Sequence, residues 1–396
     1  MLLKNASILY GEDLQYIENT NIRISEQIFK KIKQNLALNP SEEKLDCEGL
    51  VIIPGFVNAH THIGDSIAKD ISLESTAEAR IHPIHGIKSK ILKNTKPVHL
   101  ANFMKTSCLS MIKNGITTFV DFRESGLEGV LLLKKFISTL SIRSMILGRV
   151  EYYQKQTEIK QNTPFAKSKR KELATILQKC DGIGVSGANE YSDSVLKYYS
   201  TTKKIRAIHS AETKQSCTLS KKMTKKSETQ RCLLLKPHFL VHMTHASKKD
   251  LCLAARKIGG IVVCPRANAA LAEGIPDIEL MIKTGNTIAI GTDNVMINSP
   301  DMFREMDYLW KVSMAIHKKR IDAKQILKMA TSNAGKILHK KIGSIKEGYL
   351  ADCIFLDKHA VDLEPMHSPH TSIVHRASES TIKAVMIGEK IIHGKL

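Results

Sequence analysis

The sequence predicts an α/β protein: a (β/α)8 TIM barrel carrying a small β-sandwich built from both termini. Three observations lead there. Eight short apolar or β-branched runs recur along the chain, stretches with helical spacing separate them, and residues 1–53 and 346–396 break that rhythm.

In chain order the runs are LVIIPGFVNAHTH, GITTFVDF, RSMILGRV, GIGVSGAN, KIRAIHSAE, HFLVHMTH, GGIVVCPRANAAL and NTIAIGTDN. Their length and β-branched content read as strands. The segment ESGLEGVLLLKKFISTL after the second run and ASKKDLCLAARKIG after the sixth have helical periodicity. Strand alternating with helix across residues 54–345 predicts the barrel, whose functional groups gather where strands end at the C-terminal face. The outer segments hold short strand-like pieces and turns, KNASILYGED, GYLADCIFLD and TIKAVMIGEKIIHGKL, with no long helical pattern. They are expected to pair with each other, residues 1–53 and 346–396 forming the β-sandwich into which the barrel is inserted.

Composition bounds the function. With 396 residues, 42% hydrophobic and 25% charged, the chain is an ordinary globular protein large enough for one big domain and a smaller one. No apolar run approaches the roughly 18 residues of a membrane span, and MLLKNASILY turns polar too early for a secretory signal, so a cytoplasmic location without membrane association is expected. Eight scattered cysteines without a CxxC pair fit reduced thiols that pack in the core. The formal charge of +20 attracts anions in principle. Its lysine clusters KSKILKNTK, KSKRKELA and KKMTKK lack the interleaved aromatics of a single-strand platform, so a solvated surface and no nucleic-acid partner are expected.

The strand ends carry the chemistry. Strand one offers His60 and His62, which period-two alternation sets on one face. Strand five offers His209 and Glu212, strand six His242 and His245, strand eight Asp293. One such histidine alone is more often a hydrogen-bonded rim residue than a ligand. Imidazoles and a carboxylate at four strand ends of one barrel match the ligand set of a divalent metal.

The motifs PGFVNAHTH, HSAE, HMTH and GTDN, with IGSIKEGYLADCIFLD near the C-terminus, resemble the amidohydrolase superfamily, in the branch of cytosine, guanine and adenosine-type deaminases and triazine hydrolases. The resemblance spans nearly the whole chain. It implies a metal-dependent hydrolase with one divalent ion, Zn2+ or else Fe2+, held by His60, His62, His209 and Asp293. A divalent ion lowers the pKa of its water to about 7, providing hydroxide as the nucleophile at neutral pH. The resemblance further implies Glu212 as general acid and base, His242 orienting the nucleophile or polarising the bond under attack, and Asp293 serving as both ligand and proton acceptor.

Strand four lacks the lysine of binuclear relatives. Glu190, just past its end, is either a late bridging ligand or a loop or substrate contact. His245 divides between support of the site and structure. Arg266 in CPRANAAL is a candidate donor to a substrate carboxylate, or else the partner of an acid such as Glu273 or Asp277. Its motif is similar to that of aminofutalosine deaminases. Arg123 and Glu124 are expected at the mouth. The long segment 64–99 is expected to form part of a lid, with His82 and His85 on it rather than on the metal.

Hydrolytic deamination of an aminated heterocycle, a nucleobase, nucleoside or aminofutalosine-like compound, is the first expectation. Cyclic-amide hydrolysis and displacement from a triazine are the alternatives, and a non-catalytic scaffold of the same fold is the reading outside enzymes. A homo-oligomer is compatible with the sequence, although no interface signature is visible.

Overall fold

The computed structural model describes residues 1–37, 39–71 and 75–396, so residues 72–74 of the expected lid segment lie outside the described residues. The fold is mixed α/β, with one curled parallel sheet and one separate sheet.

The separate sheet takes strands from both ends of the chain. Its strands are β1 (Leu2–Tyr10), β2 (Gln15–Ser25), β3 (Ile28–Lys33), β4 (Lys44–Asp46) and β5 (Leu50–Pro54) from one end. The chain then runs through β6 (Phe56–His62), β7 (Ile116–Arg123), β8 (Arg143–Gly148), β9 (Gly182–Val185), β10 (Ile205–Ser210), β11 (Phe239–His242), β12 (Gly260–Val263), β13 (Ile288–Ile290) and β14 (Asp293–Asn294). It returns to the first sheet with β15 (Cys353–Asp357), β16 (Ile382–Ile387) and β17 (Lys390–Gly394). There β5 pairs parallel with β1 and antiparallel with β15, Ile53 lying opposite Ile354. The terminal segment is less purely β than its sequence reads, since Pro369–Arg376 is a helix that starts on proline and buries Ile373 and Val374. Eight residues are too few for a helical period to stand out from neighbouring turns.

In the parallel sheet the order is β13-β12-β11-β10-β9-β8-β7-β6-β14. Because β14 follows β13 after two residues and pairs with β6, the last strand run meets the first, Asp293 opposite Thr61 and Asn294 opposite His62.

Period-two alternation explains why these strands read as unbroken apolar runs. Phe119, Ile146, Ile208, Leu240, Ile261 and Ile288 join one core cluster with helix residues such as Met104, Val130, Leu173 and Leu251. Their immediate neighbours Val120, Leu147, Ala207, Val241, Val262 and Ala289 join a second cluster on the opposite face. Both faces are dry, so both sets of positions are apolar, as parallel sheets require. Among the described residues no helix is long and apolar enough to cross a membrane.

Candidate metal centre and active site

The apolar alternation stops where the strands end, and polar side chains take over there. Four residues at three of these ends turn the chain by adopting the left-handed region: Ala211 (φ 50°), His242 (φ 72°), Met243 (φ 56°) and Asp293 (φ 60°). L-residues with a Cβ rarely hold this conformation, and such strain concentrates at functional sites. Gly291 has a different reason for being glycine. A Cβ there would come within 2.7 Å of the His60 Cβ.

His60, His62 and His209 bring ligand atoms within 4.8 Å of one another, as do Glu212, His242 and Asp293, and as do His60, Cys264 and Asp293. His60 Nε2 is 3.3 Å from Asp293 Oδ1, and His62 Nε2 is 3.7 Å from the same oxygen. His62 Nε2 and His209 Nε2 are 3.3 Å apart. His242 Nε2 lies between the Glu212 carboxylate at 3.6 Å and the Asp293 carboxylate at 4.0 Å.

The outer nitrogens fix the inner ones. His209 Nδ1 is 2.9 Å from the Val185 carbonyl oxygen, which can only accept, so the ring proton sits on Nδ1 and Nε2 presents a lone pair. His62 Nδ1 likewise donates to Glu124 Oε1 at 2.7 Å. Both nitrogens of His60 and Nε2 of His242 are buried without a hydrogen-bond partner. Bare lone pairs turned toward each other and toward a carboxylate repel unless a cation lies among them, and acceptors held from behind in this way are how metal-binding imidazoles are presented. The residues therefore fit a divalent metal.

Charge states agree with that geometry. Burial pushes His60 and His209 below the ordinary imidazole range and His62 down to about 3, which leaves neutral imidazoles. Burial works against ionisation of Asp293, but His60 close against it and the facing imidazoles of His242 and His62 hold it below the usual carboxylate range. Glu212, pushed up by burial and by Asp293 against the pull of His242, rises to about 7.

His62, His209, Glu212, His242 and Asp293 line a cavity of about 1590 Å³, whose walls also include Lys88, Arg123, Glu124, Arg149, Glu190 and Glu273. Glu190 reaches it at the end of the turn Ala188–Glu190, and its Oε2 is buried without a partner. Burial and Glu228 raise it to about 7. Among the described residues it joins none of the metal-holding groups. Arg123 also lines the cavity, with NH2 donating to Glu124 Oε2 at 2.7 Å.

Two residues expected at the site, Arg266 and His245, face elsewhere. Arg266 is absent from the cavity lining and donates to the Ser299 carbonyl at 3.2 Å and to Glu305 Oε1 at 3.3 Å. Glu305 is fully buried, and its side chain together with the Ser299 carbonyl gives the planar guanidinium two acceptors away from the cavity. The acid partner is thus neither Glu273 nor Asp277. His245 Nε2 donates to the Glu273 carbonyl at 2.7 Å and is likewise outside the lining. His82 and His85 stack on each other 3.7 Å apart, His82 at the cavity wall.

Sequence reasoning missed four partners. Asn268 Oδ1 backs His242 Nδ1 at 3.4 Å, Val185 backs His209, Lys88 enters the wall, and Cys264 stands beside His60 and Asp293. Burial drives the Cys264 thiol well above its ordinary range. Val185 ends β9 but acts through its backbone carbonyl; of the four, only Cys264 brings a metal-binding type of side chain to a strand end, where the pattern of the histidines would have found it.

The sequence pattern of the amidohydrolase family matches residues 51–392. The chain is 35% identical over 396 residues to a protein of Methanothermobacter thermautotrophicus named "Putative aminohydrolase", with 99% of each chain covered. It is 29% identical over 424 residues to a 5-methylthioadenosine/S-adenosylhomocysteine deaminase of Thermococcus sibiricus, covering 99% of this chain and 93% of that one. Among solved structures, the zinc complex of an atrazine chlorohydrolase from Arthrobacter aurescens TC1 superposes with a TM-score of 0.87 at 15% identity, covering 99% and 95% of the two chains.

Proposed function

We propose, from the premise that this chain belongs to the amidohydrolase family and is a metal-dependent hydrolase, that it deaminates an aminated heterocycle by adding water and releasing ammonia. The observation that carries the reading is the convergence of His62, His209, Glu212, His242 and Asp293 on one cavity wall, with His60 buried directly against His62, His209 and Asp293. The names of relatives such as the Thermococcus sibiricus deaminase favour a purine nucleoside with a sulfur-bearing substituent as the first compound to try. In this reading the parallel sheet is a (β/α)8 barrel over residues 54–345, and residues 1–53 with 346–396 form a small β-sandwich domain.

His60, His62, His209 and Asp293 would hold one divalent ion, zinc before iron(II), since three imidazoles and a carboxylate suit either. That ion would supply Lewis acidity, bringing the pKa of a bound water to about 7. The chain's residues do the rest. His242 orients the water against the amino-bearing ring carbon. Glu212 takes one proton from the water and passes it to the adjacent ring nitrogen. Asp293 takes the second and returns it to the amino group as the C–N bond breaks, so both water protons are accounted for in the ring and in ammonia. Arg123 and Glu190 line the side of the cavity where the remainder of the substrate lies.

Ammonia release by metal-quantified protein tests the reading across cytosine, guanine, adenosine, 5′-deoxyadenosine, 5′-methylthioadenosine, S-adenosylhomocysteine and aminofutalosine. Release that disappears on chelation and returns with zinc supports it. Silence across the panel with a full equivalent of metal would overturn deamination in favour of opening a cyclic amide or displacing a triazine substituent.

A further inference from the structure

The helix Ile87–Asn94 follows the segment after β6 and drives one lysine of a basic run into the cavity wall. Its neighbours Lys90 and Lys93 stay exposed to solvent. Lys88 is 7% exposed, and its Nζ lies 2.7 Å from Glu124 Oε1 and 3.4 Å from Asp65 Oδ2. Glu124 Oε1 is the very oxygen that accepts from His62 Nδ1, while Oε2 accepts from Arg123.

We propose that Lys88 is a positioning residue that fixes the Glu124 carboxylate, and through it the His62 ring, in the orientation where His62 Nε2 faces His209 and Asp293. The proposal rests on the reading of His62 as a metal ligand.

A carboxylate that accepts from one imidazole can still rotate about its last bond. Two cations, one on each oxygen, remove that freedom: Arg123 holds Oε2 and Lys88 holds Oε1. Asp65 adds a second reason for the ammonium. It is fully buried and spends Oδ2 on Asn294 Nδ2 at 2.8 Å and Oδ1 on the Met296 N–H at 3.1 Å. Lys88 thus joins the carboxylate behind strand one's ligand to the one holding the turn after Asp293. Without it two buried acids repel across the gap, Glu124 is held by Arg123 alone, and the His62 ring loses its fixed angle. Outer partners of metal-binding histidines tune affinity through this kind of orientation.

The test is zinc affinity of the full chain by competition with a chromophoric chelator, alongside thermal melting of the zinc-free protein. Lys88→Met is expected to raise the zinc Kd about 10-fold, toward the low end of what outer-partner mutations cost. Lys88→Arg should recover most of that loss. In a Glu124→Gln background, adding Lys88→Met should change Kd by no more than about twofold, since the path through Glu124 is already cut. If Lys88→Met does not fold, Lys88→Gln takes its place. Unchanged Kd in the lysine variant beside a weakened His62→Ala would overturn the proposal, as would losses that multiply in the double variant. Unchanged zinc affinity in His62→Ala would instead remove His62 from the ligand set, and the proposal with it.

Discussion

His62 and His209, 147 positions apart in the chain, meet through Nε2 atoms 3.3 Å apart, and neither nitrogen has a proton to offer the other. A carboxylate behind one ring and a backbone carbonyl behind the other have already claimed the protons. The fold spends free energy to hold this contact.

Metal should return that free energy. Zinc-free protein is expected to melt below the zinc-loaded form, because a ligand bound only by the native state stabilises it by about 4 kcal/mol at a thousandfold excess over Kd. Differential scanning calorimetry with and without a chelator measures this, and coincident melting curves would contradict a centre built on this pair.

Glu212 should matter to turnover and not to metal. Glu212→Gln preserves shape and removes the proton carrier, so kcat is expected to fall by about 10²–10⁴-fold, the usual contribution of a general acid-base. Zinc content by atomic absorption should stay at the native value. A variant that turns over at native rate would take Glu212 out of the mechanism.

Gly291→Ala places a methyl group 2.7 Å from the His60 Cβ and 2.8 Å from its backbone nitrogen. The strand end must shift, and a ligand moved by a fraction of an ångström binds less well. Weaker zinc retention in dialysis, with the protein still folded by circular dichroism, is the expected result.

Arg266→Met should act on stability. Its guanidinium serves Glu305 and the Ser299 carbonyl, so removal is expected to cost about 1–3 kcal/mol in denaturant unfolding, the range for a buried polar group left unsatisfied. KM for the deamination substrate should be unchanged; a large rise in KM for an anionic substrate would restore Arg266 to the cavity.

Glu305 predicts a pH dependence. Burial, outweighing Arg266, pushes its carboxyl up to about 8. A raised carboxyl keeps its proton in the native state while the unfolded chain releases it near pH 4.5, so stability declines as pH rises from about 4.5 to about 8, by at most about 1.4 kcal/mol per unit. Glu305→Gln removes that dependence. Its melting temperature relative to the native protein should climb between pH 5 and pH 8, and a constant difference would mean that Glu305 is ionised throughout.

The strand runs were legible because a sheet dry on both faces needs apolar residues at every position, as in Ile261, Val262 and Val263. His60, His62, His209, His242 and Asp293 were legible because each breaks such a run at its end. Lys88 was not, since a lysine among lysines looks like any other until the fold buries it. Glu124 was visible only as a residue past strand two, and its role depends on β7 lying beside β6, a pairing no local pattern encodes. Arg266 misled for the same reason: the acid that claims it, Glu305, comes from a helix 39 positions on.

The sheet shared by the two ends of the chain also bears on how the protein is made. Strand β5, Leu50–Pro54, leaves the ribosome with β1 available on one side, while its other edge waits for β15, roughly 300 residues later. At about 5–20 residues per second, that apolar edge stays open for roughly 15–60 s during synthesis. An unpaired apolar edge invites other chains, so nascent protein is exposed to aggregation until its last strands arrive, and slowing translation late in the message should lower the soluble yield.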